Sequence, residues 1–141
     1  MFKKILLVDD DNINNHLSSL TLHSINVNYE IVVKANGREA LDYLRLCSIS
    51  SFSTMPELII LDIMMPVMGG FELLEDPLWK SLFYNGAIII LTEHSCARSR
   101  RRAMELGVKH FLEKPLSAKK LEEILREEMY LHNKVLKPCD A

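Results

Sequence analysis

Five short apolar runs recur along the chain, separated by more polar segments, and this spacing restricts the possible folds more than any other feature of the sequence. They cover residues 5–8, 29–33, 58–61, 87–91 and 110–112. The first, third and fourth are almost purely aliphatic and lack the alternation of a strand that has one face in water. We therefore interpret the runs as five strands, three of which are covered on both faces.

The segments between the runs have the spacing of amphipathic helices. Their apolar stripes are Ile13, Leu17 and Leu20 in the first helix, Ala40, Leu41 and Leu44 in the second, and Leu121, Ile124 and Leu125 in the last. The third helix is predicted to be irregular, because Gly69 and Gly70 precede it and Pro77 interrupts it. Strands that alternate with helices of this length predict an α/β fold, with a doubly wound five-stranded parallel sheet flanked by five helices, as in flavodoxin-like proteins.

Length and composition are those of one globular domain. The chain has 141 residues, of which 48% are hydrophobic and 26% charged, and this is enough to bury one apolar core. We place the domain at residues 1–131, because the last stripe predicts a helix that ends near Leu131, and we interpret 132–141 as a C-terminal tail. Such a tail is too short for an effector domain, so a stand-alone domain is expected.

Charge and cysteine usage argue against several partners and locations. A net charge of -2 gives no electrostatic reason to expect nucleic acid or an anionic membrane as a direct partner. The charged N-terminus precedes only four apolar residues, too few for a signal peptide or a membrane span. Cys47, Cys96 and Cys139 form no C-x-x-C pair, so neither a disulfide framework nor a zinc site is predicted and a cytoplasmic location is favoured.

Polar side chains suited to catalysis lie at the ends of four predicted strands. Asp9, Asp10 and Asp11 follow the first strand, Asp62 follows the third, Thr92 ends the fourth and Lys114 follows the fifth. These side chains should converge, because the carboxyl ends of parallel strands lie at one edge of a sheet. Two carboxylates about 4 Å apart repel by about 4 kcal/mol at an effective dielectric constant of about 20, unless a cation or proton intervenes. An all-oxygen site of this kind suits Mg²⁺.

Such a site is suited to phosphoryl transfer. Asp62 is the candidate nucleophile, and its attack on an incoming phosphorus would give an acyl phosphate. A metal ion and the Lys114 ammonium would neutralise the phosphoryl oxygens, and the Thr92 hydroxyl would donate a hydrogen bond to them. Asp11 is explained equally well as a metal ligand or as the cap of the first helix.

Four short motifs, in this order and on these elements, resemble the signature of the response-regulator receiver domain over roughly residues 3–131. They are Leu7-Val8-Asp9-Asp10, Leu61-Asp62-Ile63-Met64-Met65-Pro66 with Gly69-Gly70, Ile90-Leu91-Thr92, and Lys114-Pro115. The resemblance implies the CheY-like topology and a role in a two-component phosphorelay. It implies no enzyme activity beyond self-phosphorylation and self-dephosphorylation.

The resemblance also implies roles for individual residues. Asp62 would accept a phosphoryl group from a sensor histidine kinase or a phosphotransfer protein. Mg²⁺ would be held by Asp9, Asp10, Asp62 and the backbone carbonyl of Met64. The Lys114–Pro115 peptide bond would be cis. Thr92 and Phe111 would form a switch that carries phosphorylation to the surface, with a purely structural Phe111 as the second interpretation.

Three positions near the predicted site depart from the usual receiver pattern. Glu93 stands where the family usually has a small residue, so its carboxylate would repel an anionic phosphodonor and make transfer slow or donor-selective. Met64 and His94 fall at the two positions that flank the path of the hydrolysing water. Because Met64 cannot orient water, we expect a long-lived acyl phosphate. His94 is interpreted equally well as a residue that simply faces solvent.

A cluster of arginines marks the predicted fourth helix, at Arg98, Arg100, Arg101 and Arg102. We interpret it either as a face for an acidic partner or for self-association, or as a solvated basic helix that pairs with nearby glutamates. A downstream protein would bind the face formed by the fourth helix, the fifth strand and the fifth helix. A phosphorylation-dependent dimer is a further interpretation of the same face.

Two other functions remain open. In a phosphatase of the haloacid dehalogenase class, Asp9-Asp10-Asp11 would supply a D-x-D motif, and Asp9 rather than Asp62 would be phosphorylated. The sequence lacks the later acidic pair and the cap domain of that class. The second alternative is a degenerate receiver that binds partners without phosphorylation. Cofactor binding as in flavodoxins is not expected, since no hydroxyl- and glycine-rich phosphate loop follows the first strand.

Overall fold

All five predicted strands are present in the computed structural model, which describes residues 2–51, 54–93 and 95–136, the last five by their backbone alone. The strands are β1 (Lys4–Val8), β2 (Glu30–Lys34), β3 (Leu58–Leu61), β4 (Ala87–Thr92) and β5 (His110–Glu113). The helices are α1 (Asn12–Ile25), α2 (Gly37–Ile49), α3 (Gly70–Glu75), α4 (Pro77–Ser81), α5 (Ala97–Glu105) and α6 (Ala118–Leu136). The strand bounds agree with the apolar runs to within one residue.

The sheet is parallel throughout, with the strand order β2-β1-β3-β4-β5. Successive residues of β1 point to opposite faces, so Ile5 joins the core beneath α1 and α6 while Leu6 joins the core beneath α2, α3 and α5. The predicted doubly wound α/β fold is therefore confirmed. Its topology brings the carboxyl ends of all five strands to one edge.

The described part of the chain contains six helices rather than five, because Pro77 divides the predicted third helix. A proline has no amide hydrogen and its ring clashes with the preceding turn, so a helix stops before it. Accordingly α3 ends at Glu75, and the Asp76 carboxylate accepts a hydrogen bond from the Leu78 amide at 2.8 Å to cap α4. The predicted fourth and fifth helices are thus α5 and α6.

The last helix is longer than predicted. Its expected end near Leu131 was wrong, since α6 continues to Leu136. Neither glycine nor proline interrupts residues 131–136, so nothing in the sequence stops the helix there. The remainder of the predicted tail lies outside the described residues. Although α6 has 19 residues, none of the helices described is both long and apolar enough to span a membrane.

The inward face of α1 also differs from the prediction. Ile13, Leu17 and Leu20 are exposed, at 74%, 48% and 56%, so the stripe expected to face the core faces solvent. The buried residues are Asn14, Asn15, Ser18 and Leu22. Asn14 and Asn15 donate side-chain hydrogen bonds to Asp9. This polar contact, rather than apolar periodicity, sets the rotation of the first turns of α1 against the sheet.

The rotation of α1 predicts different outcomes for two leucines on the same helix. Leu22→Ala removes a fully buried side chain and should lower the free energy of unfolding by about 2–5 kcal/mol. Leu17→Ala removes a half-exposed side chain and should change it by less than about 0.5 kcal/mol. Urea denaturation followed by circular dichroism measures both values, and equal losses would contradict the observed rotation.

Candidate functional site

Three carboxylates meet at the edge where β1 and β3 end. Oxygen atoms of Asp9, Asp10 and Asp62 all lie within 4.8 Å of one another. Asp9 and Asp62 are buried, whereas Asp10 is exposed. Hard divalent cations prefer such groups of carboxylate oxygens, so these three residues have the chemistry of a Mg²⁺ site.

Asp9 is fixed by donors from the first turns of α1. Its Oδ1 accepts the Asp11 amide at 2.9 Å, its Oδ2 accepts the Asn14 side-chain amide at 2.7 Å, and its backbone carbonyl accepts the Asn15 side-chain amide at 2.8 Å. Asp11 itself caps the helix, because its carboxylate accepts hydrogen bonds from the amides of Ile13 and Asn14. Of the two roles considered for Asp11, the structure therefore shows the cap.

Sequence reasoning missed Asn14 and Asn15. The available signal was an adjacent pair of asparagines one turn into a helix that follows an acidic cluster. Asparagine disfavours a helix interior unless its side chain finds a partner, so such a pair indicates hydrogen bonding to the neighbouring strand end. The apolar stripe on the opposite side of the helix is the stronger pattern in the sequence, and it predicts the wrong inward face.

Lys114 places its ammonium between the two buried carboxylates. Its Nζ lies 2.7 Å from Oδ2 of Asp9 and 3.2 Å from Oδ2 of Asp62. Burial alone would lower the pKa of Lys114, but the hydrogen bond to Asp9 and the charges of both carboxylates outweigh it, so the pKa is raised. The amine therefore remains a cation. The Lys114–Pro115 peptide bond is cis, as the resemblance implied.

Asp62 lies in an environment that disfavours its charge. Burial raises the pKa of Asp62, Lys114 opposes this shift, and the neighbouring Asp9 adds to it, so the net direction is upward. Its Oδ1 also accepts the Ile63 amide at 2.8 Å. An anion held in a buried site without full compensation is a position where a further cation would bind favourably.

Gly69 and Gly70 are required by the close approach of two backbone segments. A Cβ atom on Gly70 would lie 2.3 Å from the carbonyl oxygen of Asp62, and one on Gly69 would lie 2.6 Å from that of Ile63. The Gly70 amide donates to the Ile63 carbonyl at 3.0 Å. The start of α3 is thereby pressed against the backbone that carries Asp62.

A cleft of about 420 Å³ opens next to this backbone. It is lined by Ile63, Met64, Thr92, Glu93, Ser95, Cys96, Ser99 and Glu113. Thr92 is buried, whereas Met64 and Glu93 are exposed. The structure thus brings two of the three residues expected to tune the reaction, Met64 and Glu93, to one opening together with Thr92. Phe111 is half-buried on β5, opposite Ile90 of β4, and His94 lies outside the described residues.

The parallel sheet and the acidic cluster with its lysine define the class of protein. Residues 5–126 match the family described as the response regulator receiver domain. The chain belongs to this family and is a receiver domain of two-component signal transduction, so the predicted family is confirmed. Receiver domains are generally signalling domains rather than enzymes, bind Mg²⁺ at an aspartate cluster, and interact with histidine kinases and downstream effectors.

Among curated proteins, the chain is similar to the probable transcriptional regulator ycf27 of Cyanophora paradoxa. The two are 34% identical over 124 residues, which cover 88% of this chain and 47% of that protein. The chain thus spans about half the length of the first such relatives. It is also 30% identical to the probable methanogenesis regulatory protein FilR2 of Methanothrix harundinacea, covering 87% of this chain and 79% of that protein.

Solved structures of receivers have the same fold. A two component response regulator from Cytophaga hutchinsonii matches with a TM-score of 0.81 and 25% identity, over 92% of this chain and 98% of that one. A CheY-like receiver domain protein from Methanospirillum hungatei matches with a TM-score of 0.76 and 25% identity, over 95% and 98% of the two chains. These likenesses confirm the CheY-like topology.

The raised pKa of Asp62 predicts how stability depends on pH. A carboxyl group with a higher pKa in the folded than in the unfolded state stabilises the protein at low pH, and this contribution is lost as pH rises through the folded pKa. Asp62→Asn should therefore raise the free energy of unfolding of the metal-free protein at pH 7 by about 1 kcal/mol. Its advantage over wild type should shrink as the pH falls toward the ordinary aspartate value of about 4.

Urea unfolding in chelator between pH 4.5 and 7.5 measures this difference. The control is Asp42→Asn, which removes an exposed carboxylate of α2 that forms a surface ion pair with Arg38. We expect no comparable pH-dependent advantage for the control. A difference between Asp62→Asn and wild type that stays constant across the range would show that Asp62 is not the destabilising carboxyl group.

The close approach at Gly70 predicts a defect that reaches the site. Gly70→Ala places a Cβ against the Asp62 carbonyl and should cost about 2 kcal/mol or more, together with weaker Mg²⁺ binding. Gly107→Ala is the control, because a Cβ there meets nothing within 4 Å and only the positive φ of 87° is strained. It should cost about 1 kcal/mol and leave Mg²⁺ binding unchanged. Calorimetric titration with Mg²⁺ measures the dissociation constant of each variant, which should rise in Gly70→Ala and stay at the wild-type value in Gly107→Ala.

Proposed function

We propose that the chain is a phosphoacceptor switch in which Asp62 accepts a phosphoryl group from the phosphohistidine of a sensor histidine kinase or a phosphotransfer protein. The observation that carries this proposal is the position of Asp62. Its carboxylate is buried beside two further aspartates, and it faces the Lys114 ammonium at 3.2 Å. A nucleophile and a fixed cation at one strand edge are the groups that phosphoryl transfer needs.

The chemical step is a displacement at phosphorus. An oxygen of the Asp62 carboxylate forms a bond to phosphorus while the bond from phosphorus to the histidine nitrogen breaks, and the imidazole leaves with the electron pair and takes up a proton. Lys114 stabilises the charge on the phosphoryl oxygens as a fixed cation, and the Thr92 hydroxyl donates a hydrogen bond to one of them. The product is an acyl phosphate on Asp62.

The acidic cluster fits the Mg²⁺ that this chemistry requires. Asp9, Asp10 and Asp62, with the backbone carbonyl of Met64, would hold the ion. When bound, it would supply positive charge to the phosphoryl oxygens. The Asn14 side chain and the Asp11 amide hold the Asp9 carboxylate in place through hydrogen bonds. Burial raises the pKa of Asp62 more than Lys114 lowers it, and this supports the fit, because a bound cation would offset the cost of keeping the buried carboxylate charged.

The surface around the acceptor suggests where partners bind. The exposed stripe of Ile13, Leu17 and Leu20 begins two residues after Asp11, beside the acceptor edge, and supports an apolar docking surface for the phosphodonor protein. Output would pass through the pair Thr92 and Phe111 to the face formed by α5, β5 and α6, to an unknown downstream protein or a second copy of the chain. Neither nucleic acid nor a membrane is proposed as a direct partner.

Two exposed residues at the cleft would tune the reaction. Glu93 carries a negative charge at the opening and would slow small anionic donors. The Met64 side chain is 71% exposed there and has no group that activates water. The acyl phosphate would therefore be long-lived, with a lifetime well beyond seconds.

The decisive experiment measures the intact mass of the protein after incubation with Mg²⁺ and phosphoramidate. The wild-type chain should gain one phosphoryl group, Asp62→Ala should gain none, and omission of Mg²⁺ should abolish labelling. Asp9→Ala is the matched variant, since it removes a neighbouring buried carboxylate but leaves the nucleophile. It should be labelled slowly rather than not at all.

Three other outcomes would overturn parts of the proposal. Label that survives Asp62→Ala and vanishes with Asp9→Ala would assign the nucleophile to Asp9, as in the phosphatase alternative. No label from phosphoramidate or from a phosphorylated histidine donor would favour a binding module without phosphorylation. Loss of the label within seconds after removal of the donor would contradict the long-lived acyl phosphate.

A further inference from the structure

The arginines of α5 do not form one uniform basic surface. Arg102 pairs with Glu75 of α3 and with Glu105 one turn along α5. Arg100 makes contacts of a different kind, to a hydroxyl group and an aromatic ring. Two of the four arginines that the sequence groups together, Arg100 and Arg102, therefore have different partners.

Arg100 bridges two segments that border the candidate site. Its Nε donates a hydrogen bond to Oγ of Ser95 at 3.0 Å. Its guanidinium carbon lies 5.0 Å from the centre of the Phe111 ring, within the range of a cation–π contact. A guanidinium group can stack and donate from Nε at once, whereas a lysine ammonium is a single point of charge.

Both contacted residues are close in sequence to the groups that would bind the phosphoryl group. Ser95 follows Thr92 by three residues and lines the same cleft. Phe111 precedes Lys114 by three residues and lies on β5, the strand that pairs with β4. A displacement of the β4–α5 loop toward the acceptor, or a rotation of Phe111, would break a contact with Arg100.

We propose that Arg100 is a positioning residue that holds the Ser95 loop and Phe111 in their unphosphorylated arrangement and thereby opposes phosphorylation. The inference rests on the proposed function, because it concerns the switch of that same site. Ser95, Arg100 and Phe111 form what we term the arginine latch. A contact that is made in only one of two conformations stabilises that conformation, and the equilibrium shifts toward it by the free energy of the contact. A cation–π contact at an exposed site corresponds to roughly a two- to fivefold shift.

The latch predicts faster phosphorylation when its contacts are removed. Labelling by phosphoramidate with Mg²⁺ should be about fivefold faster in Arg100→Ala and about twofold faster in Ser95→Ala. The double variant should be no faster than Arg100→Ala, because Ser95 acts through Arg100. Arg100→Lys should lie between wild type and Arg100→Ala, since a lysine ammonium can contact the Phe111 ring but cannot stack on it and donate to Ser95 at once.

Arg101→Ala is the matched control. It removes the same charge from the next residue of α5, which is also exposed, so general electrostatic attraction of the donor changes equally. Its labelling rate should lie within about 1.5-fold of wild type, well below the cation–π range. Equal rates in Arg100→Ala and Arg101→Ala would overturn the latch even if both variants are labelled normally at Asp62.

A second measurement examines the latch without phosphorylation. The protein is labelled with 4-fluorophenylalanine, and the resonance of Phe111 among the five phenylalanines is assigned with Phe111→Leu. In metal-free, unphosphorylated protein, Arg100→Ala should shift or broaden this fluorine resonance, whereas Arg101→Ala should not. An unchanged resonance in Arg100→Ala would overturn the latch. If the wild-type chain takes up no phosphoryl group, the proposed function fails, and the fluorine spectra alone decide whether Arg100 positions Phe111.

Discussion

The Lys114 ammonium is the cation on which the acidic edge of the sheet depends. Two carboxylates, those of Asp9 and Asp62, are buried within hydrogen-bonding distance of it. Removing both anions from water without a cation would cost several kcal/mol, and one lysine only partly offsets this, as the raised pKa of Asp62 indicates. The site is therefore left with unbalanced negative charge, which is the property that a divalent ion can exploit.

The rest of the fold serves to bring these charges together. Asp9 and Asp62 end adjacent parallel strands, and the backbone amide of Lys114 bonds to the Thr92 carbonyl across the neighbouring pair. Gly70 lets α3 begin directly against Asp62, and α1 turns Asn14 toward Asp9. At Gly70 the chain lacks a side chain, and at Asn14 it has a polar residue where an apolar one would pack against the sheet. In both places the result is that a charged group is held in position.

The sequence was sufficient for the sheet and for the positions of the acidic residues, because aliphatic strands and strand-end aspartates depend on local pattern and topology alone. It was insufficient for the rotation of α1, since the hydrogen bonds of Asn14 and Asn15 outweighed the apolar period of Ile13, Leu17 and Leu20. Nor could the contact of Arg100 with Phe111 be read from the chain, because it depends on how α5 lies against β5. The phosphoacceptor role of Asp62 remains a prediction of chemistry and resemblance.

The central place of β1 in the sheet has a consequence for the way the chain folds. Within the sheet, β1 comes before both of its partners, β2 and β3, and β3 lies about fifty residues further along the chain. A nascent chain that ends before β3 leaves one edge of an aliphatic strand unpaired. Folding of this protein is thus governed by contacts between distant parts of the chain, and β1 is paired along both edges only after β3 is present.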